Sequence, residues 1–169
     1  MGFKMSWKNA QRNRVVEAGQ YHVQVKGWKP YVAKTGNDCV IFEHTIIGPV
    51  DSPEIGQTVS DFITLTEAAA WKLGWFVGAC GVIIADLPDM DTGSEEFQRI
   101  LNTCKDRRLY IQVTKGVNKE GKDVNSVTDY TPDDDQEEVE VVEEVPSFIA
   151  NKMKRDAAAQ ENREAGIEG

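Results

Sequence analysis

The fold class is decided by residues 57–80, QTVSDFITLTEAAAWKLGWFVGAC, because the hydrophobic period changes within them. The first nine residues alternate between apolar and polar side chains, which is typical of a half-buried strand. After Thr66, the predicted N-cap, apolar residues recur at helical spacing, and Glu67 stands near the positive end of the helix. We therefore expect a strand that leads directly into a helix over 67–80, which Gly81 ends.

Two strands are predicted before this segment and two after it. Tyr21, Val23 and Val25 alternate with polar residues in a strand that begins at Gly19. The other predicted elements are a strand over 39–47, a second helix over 94–104, strands over 109–114 and 123–130, and hairpin-type loops over 28–38 and 115–122. Five short strands with a helix between the third and the fourth follow the element order of the OB-fold. The sequence thus predicts a mainly β fold, a five-stranded OB-type barrel with a helix between strands 3 and 4.

The net charge of the chain lies almost entirely in its last quarter. Residues 1–127 hold 15 basic and 15 acidic residues, whereas residues 128–169 hold four basic and 13 acidic residues and account for the net charge of −9. The run DDDQEEVEVVEE, which begins at Asp133, is too polar to bury a core and is predicted to be disordered. We therefore predict a basic N-terminal arm (1–18), an OB-fold domain (19–132) and a disordered, acidic C-terminal tail (133–169), in which a short helix is left open.

Four segments carry a family resemblance. They are GQYHVQV (19–25), KTGN (34–37), WKLGWFVGACG (71–81) and the hairpin between Gly116 and Gly121 that precedes the acidic end. Over about residues 15–132 the chain resembles small phage-encoded single-stranded-DNA-binding proteins with an OB-fold. The resemblance implies a barrel that coats single strands during phage DNA replication or recombination, in the cytoplasm of an infected bacterial host. Familiar bacterial single-strand-binding tails end in Pro-Phe, whereas the similar EEVPSF of this chain is internal.

Two predicted loops carry the residue types that hold single-stranded DNA, namely cations that follow the phosphates and aromatic rings on which bases stack. The first loop reads KGWKPYVAK over 26–34, and the second has three lysines and two glycines. In OB-folds these two loops flank the surface that binds oligonucleotides. The predicted DNA-binding residues are Lys26, Trp28, Lys29, Tyr31, Lys34, Arg107, Tyr110, Lys115, Lys119 and Lys122. Simple packing of Trp28 and Tyr31 at the end of the barrel, and a solvated role for each lysine, are open alternatives.

The acidic tail contains three apolar residues that we predict to bind replication or recombination proteins: Val145, Phe148 and Ile149. A charge run is usually a solvated spacer that keeps a protein soluble, and this one can also compete with DNA for the basic groove. The alternative function is therefore an acidic interaction protein, an accessory factor that uses the barrel as a scaffold. Homo-oligomerisation is left open.

Enzymatic function is not expected. The chain lacks the GxxxxGK[ST], GxGxxG, HExxH and GxSxG motifs, and neither of its two histidines stands beside a candidate nucleophile. No catalytic residue, metal site or cofactor is therefore predicted, and a nuclease or nuclease inhibitor is the weakest hypothesis. No apolar run approaches the ~20 residues that span a bilayer, so a membrane protein is not expected. Phe42, Trp71 and Trp75 are predicted to lie in the core.

Overall fold

The computed structural model describes residues 14–141. Its elements in chain order are the strands β1 (Gly19–Val32), β2 (Asp38–Gly48) and β3 (Thr58–Thr64), a 3-10 turn (Glu67–Ala69), the helices α1 (Ala70–Ala79) and α2 (Glu95–Thr103), and the strands β4 (Arg108–Val117) and β5 (Asp123–Pro132). All paired strands are antiparallel, and their order across the sheet is β3-β2-β1-β4-β5. The predicted mainly β fold, with five strands and a helix between the third and the fourth, is confirmed. Within these residues neither helix has the length and apolar composition needed to cross a bilayer.

The backbone ladders of the described residues do not close the sheet. The two edge strands, β3 and β5, are joined through side chains instead. The Tyr130 hydroxyl on β5 donates a hydrogen bond to Asp61 Oδ2 on β3. His44 Nε2 lies 3.4 Å from the same oxygen, and Lys72 Nζ lies 3.7 Å from Asp61 Oδ1. A buried carboxylate requires such partners, since an unpaired charge in the interior is strongly unfavourable. The sheet is therefore OB-like, curled but not closed by backbone pairing.

The core fills the space between the inner face of the sheet and one face of α1. Phe42 on β2 is fully buried and packs on Phe76 of α1, with 4.3 Å between the ring centroids. Leu73 and Val77 lie on the same buried face of the helix. The prediction that Phe42 lies in the core is confirmed. Trp71 and Trp75 were predicted to join it, and that prediction is wrong, because their side chains are 66% and 38% exposed.

The first strand is longer than the sequence predicted. The region 28–38 was expected to be a loop, but residues 28–32 continue β1 and pair with β2, and a short turn follows. Pro30 is tolerated there because β4 pairs only with the first part of β1, from Gly19 to Gln24, so that the proline lies where the other edge of the strand has no partner strand. In the same way, β4 continues to Val117 and shortens the second predicted loop to 118–122.

The N-terminal end of α1 differs from the prediction, whereas its C-terminal end agrees with it. Thr66 makes no side-chain cap hydrogen bond, and the helix begins instead with the 3-10 turn. The helix ends before Gly81, as predicted. Gly81 has a backbone φ of +80°, a conformation that favours glycine. A Cβ atom at Gly81 would also lie 2.7 Å from Arg107 Nη2. The backbone conformation therefore requires glycine here, whereas the guanidinium, at the end of a flexible side chain, can shift.

Ordered structure extends beyond the predicted domain boundary at 132. Asp133 is buried, and its Oδ2 lies 2.6 Å from His22 Nε2. Val139 forms a parallel bridge with Val82 and is half-buried against the core. Short-range composition does not reveal these partners, which explains why the tail was predicted to begin at Asp133. Residues 1–13 and 142–169, which include Val145, Phe148 and Ile149, lie outside the described residues.

Candidate nucleic-acid interface

An exposed aromatic pair stands on the outer face of β1, β2 and β3. The rings of Tyr31 and Phe62 meet edge to face with 5.7 Å between their centroids, and their side chains are 42% and 54% exposed. Ile41 lies directly opposite Phe62 in the β2–β3 ladder and forms the floor beside it. Because Val59 and Ile63 point into the core, alternation along β3 turns Phe62 outward. We name this surface, made of Tyr31, Ile41 and Phe62, the aromatic face.

Three of the predicted lysines lie on the same part of β1 or in the turn that follows it. Lys29 is exposed, and its Nζ lies 3.6 Å from Glu43 Oε1 on β2. Lys26 is the additional residue of a bulge between Val25 and Gly27, and Lys34 is exposed in the turn. An exposed ion pair such as Lys29–Glu43 contributes only about 0–1 kcal/mol. A phosphate can therefore replace Glu43 as the partner of Lys29 at small energetic cost.

Trp28 is separated from Tyr31, although the two were predicted to act together. It is in register with Phe42 and packs against the core from the inner side of β1. Its indole Nε1 donates a 2.7 Å hydrogen bond to Asn102 Oδ1 of α2. Tyr31 is three residues further along the strand and therefore faces the other side. The contacts of Trp28 are those of a packing residue.

Arg107 is engaged by backbone carbonyls. Its Nε donates a 2.8 Å hydrogen bond to the Cys80 carbonyl, and its Nη2 donates to the Glu137 carbonyl. These bonds hold the chain after β5 against the end of α1. These bonds use two of the five N–H donors of the guanidinium, so Arg107 has a role in the fold while its predicted contact with a phosphate stays a prediction.

Tyr110 lies in an acidic environment on another part of the sheet. Its ring stacks on His22 with 4.4 Å between centroids, close to Asp133. Burial alone would raise the pKa of Asp133, but hydrogen bonds from the backbone N–H of Asp135 and from His22, with the charge of Arg108, together hold this pKa below its usual value. Asp133 is therefore ionised at neutral pH. Its charge and that of exposed Asp135 disfavour an approaching phosphate.

The lysines of the β4–β5 hairpin form a second group, away from the lysines of β1 and its turn. Lys115 Nζ lies 3.2 Å from Glu17 Oε1, while Lys119 and Lys122 are exposed around a turn stabilised by the Asn118 side chain. Since β4 runs antiparallel to β1 and continues past its first residue, this hairpin lies beyond the N-terminal end of β1. The turn at 33–37 lies at the C-terminal end. The structure thus places the two predicted lysine loops at opposite ends of one strand.

Phe62 and Ile41 are the residues of this surface that the sequence analysis missed. A signal for Phe62 was present, because Val59 and Ile63 fix the inner face of β3 and leave Phe62 on the outer one. Ile41 gave no comparable signal, because it stands in an unbroken run of four apolar residues, Cys39 to Phe42, that shows no alternation between faces. All four are buried in the structure. In the described part of the chain, no group of three His, Cys, Asp or Glu side chains is placed to hold a metal ion.

Topology and surface together define a mainly β protein with an OB-like sheet and an exposed aromatic face. A family model described as "Protein of unknown function (DUF669)" matches residues 3–140, and the chain belongs to this family. The search of curated proteins found no match. Among solved structures, the chain is similar to one described as "Yeast RPA bound to ssDNA", with 10% sequence identity and a TM-score of 0.35, over 95% of this chain and 98% of that chain. A likeness this distant gives no argument about function.

Proposed function

We propose that this protein binds single-stranded DNA without sequence preference, on the outer face of β1, β2 and β3. The observation that carries the proposal is the Tyr31–Phe62 pair, two aromatic rings that stand exposed on a sheet instead of being buried. A base stacked on such a ring contributes about 1–3 kcal/mol, whatever its sequence, because every base has a π-face. In OB-folds the sheet surface around strands 2 and 3 is the one that binds oligonucleotides.

The charges near the aromatic face support the same proposal. Lys26, Lys29 and Lys34 lie along the strand and turn that carry Tyr31, where they can follow a phosphate backbone past the rings. Each phosphate that a lysine neutralises on single-stranded DNA contributes about −0.7 to the slope of log K against log salt. Three lysines therefore predict a slope of about −2, and engagement of the hairpin lysines as well would make it steeper.

The biological setting belongs to the proposal too. A role in phage DNA replication or recombination, in the cytoplasm of an infected bacterial host, rests on the sequence resemblance. A role without catalysis or a cofactor rests on the missing motifs. Binding of replication or recombination proteins by Val145, Phe148 and Ile149 is likewise proposed from the sequence.

Retention on immobilised single-stranded DNA tests the proposed function. The full-length protein is applied at about 50 mM salt and eluted with a salt gradient, and a duplex column of the same sequence serves as the control. We expect retention on single strands of mixed sequence and of oligo-dT alike, with earlier elution from the duplex. A protein that passes through the single-strand column at this salt concentration would refute the proposal.

One observation favours the alternative function, an accessory factor that binds another protein. Trp71 and Trp75 stack on each other with 6.0 Å between centroids and stand exposed on α1, beside half-buried Lys72. Tryptophans are enriched at the centres of protein–protein interfaces. If the protein ignores single-stranded DNA, but Trp71→Ala abolishes its capture of a defined replication protein, the accessory-factor function replaces the proposed one.

A further inference from the structure

An apolar groove of about 400 Å³ lies between α1, α2 and the segment 84–92 that joins them. Its volume is in the range of sites that bind drug-sized ligands or a few large side chains. Among the described residues that line it, Glu67 is the only charged one. The walls include Leu65, Ala70, Leu73, Val77, Ile84 and Phe97. The groove thus offers an apolar surface that neither the sheet nor the helices fill.

The chain after β5 runs to the edge of this groove. Val139 N donates to the Gly81 carbonyl, and Ile83 N donates to the Val139 carbonyl, both at 2.8 Å. These bonds form the parallel bridge between Val139 and Val82. Ile83, which donates to Val139, is followed directly by Ile84, which lines the groove. The described chain therefore ends at Val141, two residues after a contact that adjoins the wall of the groove.

We propose that residues 145–149, Val-Pro-Ser-Phe-Ile, occupy this groove in the same chain whenever no partner protein binds them. They are the first residues after Val141 that combine large apolar side chains with no charge. An extended chain advances about 3.3 Å per residue, so Phe148, seven residues beyond Val141, reaches up to about 23 Å from it. That distance exceeds the 8–10 Å that typically separates the axes of packed helices. The segment is therefore long enough to cross the groove.

Apolar burial, and not charge, drives the proposed docking. The segment 84–92 carries Asp86, Asp89 and Asp91, and the tail approaches it with Glu143 and Glu144, so the two acidic regions repel each other. Salt screens this repulsion. Docking in the groove should therefore strengthen as salt rises, whereas a tail that competes with DNA for lysines would be released by salt.

Methyl NMR of the full-length protein, labelled at isoleucine δ1, tests the proposal. We expect NOE cross-peaks from the Ile149 methyl to those of Ile84 and Ile100, both of which line the groove. Phe148→Ala should weaken these cross-peaks and shift the Ile84 and Ile100 signals. Ile167→Ala removes an apolar side chain from the same tail and should leave them unchanged.

A substitution inside the groove provides the reciprocal test. A Cβ atom at Gly74 would meet no other atom within 4 Å, so Gly74→Leu places a side chain in open space in the groove without a backbone clash. We expect the variant to lose the Ile149 cross-peaks and to keep the Ile111 signal of the sheet core. Absence of these cross-peaks in the unsubstituted protein at both low and high salt would refute the proposal. Cross-peaks that arise only between differently labelled chains would assign the groove to a second copy and overturn it as well.

Discussion

Phe62→Ala tests the aromatic face with little disturbance of the fold. The Phe62 side chain is 54% exposed, and its neighbours on the sheet are Ile41 across the ladder and the ring of Tyr31. Cross-strand pairs of this kind contribute about 0.2–1 kcal/mol. We therefore expect the free energy of unfolding to fall by no more than about 1 kcal/mol, so that the variant is folded when its binding is measured.

The expected effect of Phe62→Ala on binding is larger than its effect on stability. Loss of one stacked base removes about 1–3 kcal/mol, which corresponds to a Kd that rises by a factor of about 5 to 150. Tyr31→Ala should have an effect of similar size. Because the two rings support each other edge to face, the double variant should lose less than the sum of the single losses.

Fluorescence anisotropy with labelled oligo-dT, at constant low salt, measures these constants. Trp71→Ala is the matched control, since it removes an exposed ring of α1 that lies outside the aromatic face. Its Kd should stay within about twofold of the unsubstituted value. The reasoning is refuted if Phe62→Ala leaves the Kd unchanged, or if Trp71→Ala weakens binding as much as Phe62→Ala does.

Three further predictions concern residues that make hydrogen bonds within the fold. Trp28→Phe removes the hydrogen bond to Asn102 and should lower the free energy of unfolding in urea by about 1 kcal/mol while DNA affinity stays constant; a selective loss of affinity would contradict the packing role. Arg107→Lys cannot reach both carbonyl partners and should cost about 1–3 kcal/mol of stability, again without a change in the salt slope of binding. The Asp133 carboxylate has a lowered pKa, so its stabilising contribution is present above the unfolded-state pKa of about 3.9 and is lost as pH falls through the lower folded-state pKa. Asp133→Asn should therefore be less stable than the unsubstituted protein at pH 6, and the difference should shrink below about pH 4; a constant difference across this range would count against the assignment.

The element order could be predicted because it depends on local periods. The change from period two to helical spacing after Thr66 can be recognised from neighbouring residues, and so can the glycine that ends α1. The extent of β1 could not be predicted, since Pro30 and its flanking lysines have the composition of a loop. They form a strand because β4 leaves that edge of β1 free, and the pairing of β4 is set by residues far away in the chain.

The candidate site was predicted only in part for the same reason. When residues 28–34 are considered a loop, Trp28 and Tyr31 have no defined faces and are easily grouped together. Because these residues form a strand, a spacing of three places Trp28 and Tyr31 on opposite faces of the sheet. Trp28 therefore contacts α2, and Tyr31 contacts Phe62. The exposure of Trp71 and Trp75 shows a second limit. The inward face of α1 is already filled by Leu73, Phe76 and Val77, so hydrophobicity alone did not determine burial.

The position of β1 at the centre of the sheet has a consequence for how the chain folds. On one side β1 pairs with β2 across a short turn, and on the other Gly19 meets Val113, far along the sequence. Contacts between distant residues form slowly because the intervening chain must first be brought together. We expect the β1–β2–β3 meander, with the aromatic face, to gain protection first in pulsed hydrogen exchange, and the β1–β4 ladder to follow. The proposed binding surface is thus assembled from a part of the chain that leaves the ribosome before β4 and β5.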